Sequence, residues 1–268
     1  MNEFFQKAID LIQIYWPMFL RGAWTTLYIS IIGTVSGFII GLLMGIIRTI
    51  PGSKKKGSIK GFLLKIINFL ISAYVEIFRG TPMIVQAMVI YYGIPIVTGY
   101  QLDKFAAAMF IVAVNTGAYM SEIVRGGIVS IDKGQFEAAH AIGMNHVQTM
   151  VHVVLPQVIR NILPATGNEF VINIKDTSVL NVIAVTELFY NTNSIASSNY
   201  LYFQAFLIAS VIYFVMTFTI TRILRFIERK IDGPSNYVIL DNQKPSVKGE
   251  VMGSGHNQVS LPKKGGTK

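Results

Sequence analysis

Glu76, Arg79, Glu122, Glu169, Lys175 and Asp176 are ionisable residues embedded in long apolar stretches of this chain. A charge at membrane depth costs roughly 2.5–3.5 kcal/mol on insertion scales, so such residues turn toward the interior of a helix bundle. Both signs are present, and Gln86, Asn115, Asn173 and Thr177 add neutral donors and acceptors beside them. Such a set suits a polar passage through an apolar barrier. A second reading stands next to it for each residue: Arg79 or Lys175 pairs with Glu76, Glu122 or Asp176 and holds broken helices together. Catalysis is not indicated, because neither a Ser/His/Asp constellation nor a His-Glu-x-x-His helix occurs at usable spacing. The chain has no Gly-x4-Gly-Lys-[Ser/Thr] loop to cradle nucleotide phosphates. Cysteine is absent, which excludes disulfides, thiolate metal sites and a cysteine nucleophile. His140, His146 and His152 recur every sixth residue. That is about 600° of helical rotation per step, so they do not share a face, and zinc wants about three or four convergent ligands. No metal site is expected.

The elements that must carry these residues are membrane helices. Hydrophobic residues make up 52% of the chain, charged residues only 14%, and the mean hydropathy is +0.50. A soluble domain has about a quarter of its residues charged. At about 20 residues per span plus connections, 268 residues accommodate about five spans and one membrane domain. The first run extends from about Trp24 to Ile47 with its basic residues after it, the reverse of a secretory leader, so a retained span is expected. On it Gly33, Gly37, Gly41 and Gly45 form a small-residue stripe for close helix packing, or for a contact that moves. The second run, from about Gly61 to Pro95, is interrupted by Glu76 and by Arg79-Gly80-Thr81-Pro82, which predicts one broken span. Lys104 to Arg125 is the third span, Glu169 to Tyr190 a polar fourth, and Leu201 to Ile223 the last. The uncharged segment Asn191 to Asn199 reads as an external loop.

The formal charge of +9 sits in Arg48 through Lys65, in the 130–165 region and from Arg222 onward, beside apolar spans. Basic runs so placed anchor to anionic lipid on the cytoplasmic side, and nucleic acid is not expected as a partner. An odd span number then puts the N-terminus outside and the C-terminus in the cytoplasm. The expected organisation is an external segment 1–20, a transmembrane domain 21–232 and a tail 233–268. That tail is Gly, Ser, Asn, Gln and Lys rich, has little apolar material, and is expected to be disordered.

One polar segment, about 130–165, lies between the third and fourth spans. It contains Glu137-Ala138-Ala139, then Gly143, then Val153-Val154-Leu155-Pro156. Read physically, it is two short helices broken by a glycine that takes the left-handed conformation, the second capped by Asn145. Ala138 and Ala139 would let another surface come close, while Phe136, Met144, Val147, Met150 and Val151 supply apolar area. Glu137 is then a charged contact for a partner, with a solvated helix face as the plainer reading.

Glu-Ala-Ala-x3-Gly-x9-hydrophobic-x-Leu-Pro resembles the cytoplasmic signature of bacterial ATP-binding cassette (ABC) importer membrane subunits; only Val153, where Ile is commoner, departs from it. Arg79-Gly80-Thr81-Pro82, Tyr91-Tyr92-Gly93-Ile94-Pro95, Ala118-Tyr119 through Ile128, Gly134-Gln135, Leu155-Pro156-Gln157 and Lys175-Asp176-Thr177-Ser178 narrow the likeness. It narrows to the permeases for polar amino acids and covers roughly Gly22 to Asp232. The resemblance implies an all-α type I ABC importer permease fold in a bacterial plasma membrane. Glu137, Ala138, Ala139, Gly143 and Pro156 would then couple the chain to ABC ATPase subunits, which hold ATP-Mg, with no cofactor on this chain. An extracytoplasmic binding protein, separate or fused to another subunit, would deliver substrate, and a second permease, identical or related, would complete the path. A polar amino acid carries an ammonium and a carboxylate, so Glu76, Arg79, Gln86, Asn115, Glu122, Lys175, Asp176 and Thr177 are the substrate-path candidates. An ATP-independent secondary transporter or channel is the alternative function, but it leaves the 130–165 segment unexplained.

Overall fold

The computed structural model describes residues 2–52 and 59–232, and those residues form helices and connections without a strand. The lysines Lys54, Lys55 and Lys56 and the 233–268 tail lie outside the described residues. Helix α1 runs Asn2–Thr49 without interruption at Pro17. It therefore carries through the boundary expected at residue 20. Burial explains the extension: Leu11 and Phe19, each 3% exposed, join a core cluster with Leu188, Ile195, Ala196 and Ala205.

The glycine stripe of α1 packs on α4 (Lys104–Val129). A Cβ would fall 2.3 Å from Val112 if added at Gly33, 2.6 Å from Thr116 at Gly37, 2.3 Å from Met120 at Gly41 and 2.6 Å from Val124 at Gly45. These distances are far below van der Waals contact, so the two backbones meet only because the side chains are missing. Each step of four on α1 matches a step of four on α4, in the same direction. The two helices are therefore parallel, and the chain between them must return.

It returns through the broken element. Helix α2 covers Ile59–Gly80 and α3 covers Met83–Thr98, separated at Thr81-Pro82 as the proline predicts. After α4 the chain forms α5 (Lys133–Ala141), α6 (His146–Thr149), a π-helical stretch Met150–Val154, and α7 (Leu155–Asp176). Pro156 lacks the N–H that would bond back to His152, and its ring crowds the preceding turn; the wider π turn sits where that strain falls. Helix α7 is antiparallel to α4, since Gly127 abuts Val158 and Ile162 while Thr116 bonds Asn173.

The polar fourth span, expected from about Glu169 to Tyr190, is not one helix. Helix α7 ends at Asp176, a 3₁₀ segment covers Thr177–Ile183, and Ala184 turns the chain with φ 57°. The segment expected as an external loop, Asn191 to Asn199, is the body of helix α8 (Leu188–Asn199). Absence of charge there goes with burial: Asn191, Thr192, Ile195 and Ala196 are buried against α1 and α9. Helix α9 (Tyr202–Asp232) is parallel to α1, with the Phe203 ring 5.5 Å from Phe4 and Tyr213 joined to Thr26 through Glu187. Among the described residues α1, α2, α4 and α9 are long and apolar enough to cross a membrane, and α3 is a shorter apolar helix. Since α1, α4 and α9 share one direction, Arg48, the α5–α6 segment and Arg229 all fall at one end of the bundle.

Candidate functional site

The α5–α6 segment is held by its own backbone. Asp132 caps α5 through Gly134 N–H at 2.6 Å. At the other end Gly143 has φ 83°, its N–H donates to His140 O at 3.0 Å, and Met144 N–H donates to Ala139 O at 3.0 Å. That pair of bonds is a Schellman termination, which needs the left-handed residue where the glycine stands. Two residues on, Gln148 N–H donates to Asn145 Oδ1 at 3.0 Å and Asn145 N–H to Gln148 Oε1 at 2.9 Å, a reciprocal capping box. Nothing lies within 4 Å of a Cβ at Gly143, so the constraint there is conformational and not one of space.

The buried side of this segment is narrower than its composition suggests. Ala139 and Met150 are each 4% exposed, and Met150 packs with Val124, Ile128, Val154 and Val158. Both side chains pack into the bundle, and the outer surface of the segment is carried by others. Ala138, Glu137 and Pro156 are exposed, as are Val147 (68%) and Val151 (50%). Ile142, missed in the sequence, is 79% exposed. It sits at a concavity of about 390 Å³ between α5 and α6, lined also by Gly143, Met144, Gln148 and His152. Its neighbour Gly143 was the available signal, because a helix ending there turns the residue before it outward.

The polar residues of the bundle divide into separate groups. A cavity of about 570 Å³ is lined by Arg48, Glu76, Arg79, Tyr119 and Glu122 among others. Within it Glu122 pairs with Arg48 of α1 and accepts from Arg125 Nε at 3.1 Å and Nη2 at 2.9 Å. Arg79 lies over the Tyr119 ring, 5.4 Å from its centroid. Neither Arg79 nor Glu76 belongs to any of the three ion pairs found among the described residues. Seven residues separate Glu169 from Asp176, about 700° of rotation, so the two carboxylates share a face of α7.

Three candidates spend their polar groups on the chain itself. Gln86 Nε2 donates to Phe78 O and Thr81 O, each at 2.9 Å, and its Oε1 accepts from Asn115 Nδ2 at 2.9 Å. The pair thus ties the α2–α3 break to α4. Thr177 is fully buried and donates to Ile174 O at 3.0 Å. Lys175 faces away, into a crevice against α9. Asn173 Nδ2 joins Thr34 Oγ1 at 2.8 Å and Thr116 Oγ1 at 2.9 Å, knotting α1, α4 and α7.

Glu187 was not anticipated. It is fully buried at the start of α8, where Phe189 N–H donates at 2.8 Å, Tyr190 N–H at 2.7 Å and Tyr213 Oη at 3.0 Å, with Thr26 Oγ1 at 3.4 Å. A buried carboxylate is tolerated only when so satisfied. Glu is not among the preferred helix caps, so the sequence carried no signal for it.

A bundle of apolar helices with polar interior groups, and with an ordered helical projection at its basic end, has the features of a membrane protein. Residues 56–233 match the family model of the binding-protein-dependent transport system inner membrane component, and the chain belongs to that family. It is 37% identical over 216 residues to the glutamine transport system permease protein GlnP of Escherichia coli (strain K12), covering 80% of this chain and 93% of that one. It is 34% identical over 231 residues to the arginine transport system permease protein ArtQ of Bacillus subtilis (strain 168), covering 86% and 98%. A crystal structure of an amino acid ABC transporter with histidines aligns with TM-score 0.72 and 36% identity over 83% of this chain and 97% of that one. The MetNI methionine ABC transporter, at 20% identity and TM-score 0.63, shares the fold.

Proposed function

We propose that this chain is the permease subunit of an ABC importer that takes up polar L-amino acids. The observation that carries the reading is the α5–α6 projection, whose backbone is locked by a Schellman turn and a capping box while Ile142, Val147 and Glu137 stay exposed. A segment so ordered without a partner suits docking in the groove of an ATPase. Glu137, Ala138, Gly143 and Pro156 form or shape the contact, and Ala139 roots it in the bundle. ATP-Mg binds and is hydrolysed on that partner. Closure of the ATPase dimer moves the projection, and the rigid α1–α4 seam passes the movement into the helices.

The relatives' names support an amino-acid cargo. Arg79 offers a cation to the substrate carboxylate, while Glu76, Glu169 and Asp176 offer anions to the ammonium. Glu122 has its charge committed to Arg48 and Arg125 and serves the wall of the cavity. Gln86, Asn115 and Thr177 keep the broken helices in place around the path. A second permease copy completes the path, an extracytoplasmic binding protein delivers the substrate, and the complex sits in the bacterial plasma membrane. Its N-terminus is outside and the basic end is in the cytoplasm, by the positive-inside bias.

The test is reconstitution with the ATPase and binding protein in liposomes, scoring ATP-dependent uptake of a labelled amino-acid panel. Uptake that needs ATP and fails in an inserted Gly143→Arg variant supports the importer. Flux without ATP, or full coupling in that variant, supports the secondary transporter instead.

A further inference from the structure

Lys175 and the α9 residues Arg222 and Arg225 line one crevice of about 240 Å³ between α7 and α9. Thr217 and Thr221 add hydroxyls, and Val171 and Phe214 form an apolar wall. No carboxylate lines it, and none of the three cations belongs to an ion pair among the described residues. The Arg222 guanidinium is held over the Phe218 ring, 4.8 Å from the centroid, which fixes it at the crevice without neutralising it. All three cations are exposed and line one crevice that holds no carboxylate, so an anion can reach them and meet like charges on both helices.

From this we infer that the α7–α9 crevice binds a phosphate-bearing anion, the phosphodiester headgroup of an anionic membrane phospholipid. The charges of Lys175, Arg222 and Arg225 meet the phosphate, the hydroxyls of Thr217 and Thr221 stay bonded to Tyr213 O and Thr217 O, and an acyl chain follows Phe214 along α9, whose Val211, Phe214 and Val215 are each more than half exposed. An amino-acid substrate fits less well, because its ammonium would find no acceptor carboxylate in the lining. Basic crevices between membrane helices bind acidic headgroups by this chemistry. The inference goes beyond the transport reading and needs only that the chain spans a bilayer.

The experiment uses the purified full chain in neutral detergent, titrated separately with phosphatidylglycerol, phosphatidylcholine and inorganic phosphate, with bound ligand counted by native mass spectrometry. Phosphatidylglycerol is expected to bind in preference to phosphatidylcholine. The Arg222→Gln/Arg225→Gln variant should need roughly thirtyfold more of it for half-saturation, from about 1 kcal/mol per basic group and tenfold per about 1.4 kcal/mol. Replacement of both by Lys should restore most of the affinity. Lys175→Gln alone should weaken binding about fivefold, which keeps the test readable if the double variant does not fold. Saturable phosphate binding, lost in the same variants, would make free phosphate the occupant of the same anion site. An undiminished preference for phosphatidylglycerol in both Gln variants would overturn the proposal. Because neither ATPase nor uptake is involved, failure here is separate from failure of the importer reading.

Discussion

The α1–α4 seam and the α5–α6 projection are both rich in small residues, yet they use them for opposite ends. Along the seam, Gly33, Gly37, Gly41 and Gly45 remove side chains so that two backbones lie against each other, and no freedom remains at the contact. In the projection Gly143 touches nothing, and its role is to permit a backbone angle of 83°. Order in the seam comes from packing between distant segments; order in the projection comes from hydrogen bonds within about a dozen residues. Packing of the first kind suits a rigid region, whereas local caps hold a segment without covering its apolar side chains, as the exposure of Ile142 and Val147 shows.

The seam should therefore break hardest. Gly41→Ala places a Cβ 2.3 Å from Met120 Cβ and 2.7 Å from both the Met120 carbonyl carbon and Ser121 N, and a backbone cannot step aside as a side chain can. Overpacking of this kind costs about 1–3 kcal/mol, and backbone involvement puts Gly41→Ala at the top of that range. Thermal unfolding of the purified chain in detergent should show a lowered midpoint for Gly41→Ala. A smaller loss is expected for Gly33→Ala, where the nearest atoms are the Val112 side chain; equal losses would mean the seam is looser than its distances state. Next comes Glu187→Leu, which strips acceptors from two backbone N–H groups and the Tyr213 hydroxyl. Unsatisfied buried donors cost about 1–3 kcal/mol, but the substitution also removes the desolvation cost of the buried carboxylate and adds apolar burial, so the net loss is about 2 kcal/mol. Glu187→Gln keeps one oxygen acceptor and should fall between wild type and Leu in the same measurement.

The local part of this architecture was legible in the sequence and the long-range part was legible only in outline. Gly143, Asn145 and the break at Thr81-Pro82 behave as their residue types dictate, because caps and turns are decided by neighbours a few positions away. The four-residue period of the glycines told of a close contact but could not name α4 as the partner. Glu169 to Tyr190 failed as a single span because hydropathy averages over a window, whereas Ala184 in the left-handed region and the Glu187 cap divide the window into pieces. Glu187 owes its place to Thr26 and Tyr213, more than a hundred and about two dozen positions away, which a local pattern does not encode. In the polar set, residue type did not separate Gln86, which stitches a break, from Arg79, which lies over the Tyr119 ring outside the ion pairs found among the described residues.

In the projection the expected order of effects reverses between stability and coupling. Gly143→Val forces a branched residue to φ 83° at about 1–2 kcal/mol, while the bundle core, which does not touch Gly143, keeps its unfolding midpoint within about a degree. Its ATPase affinity should fall by roughly tenfold, read by pull-down titration of the ATPase on the immobilised permease. Asn145→Ala removes one side of the capping box, worth about 1 kcal/mol, and should weaken the same association about fivefold with no change in midpoint. The sharpest discriminator is Ile142→Asp. No backbone bond depends on that side chain, and it is 79% exposed, so the projection keeps its fold. If the segment is ordered for a partner, the buried apolar contact is lost and association drops by more than in Asn145→Ala. If Ile142→Asp binds the ATPase as wild type does, the exposed apolar side chains are incidental and the projection couples through its backbone and Glu137 alone.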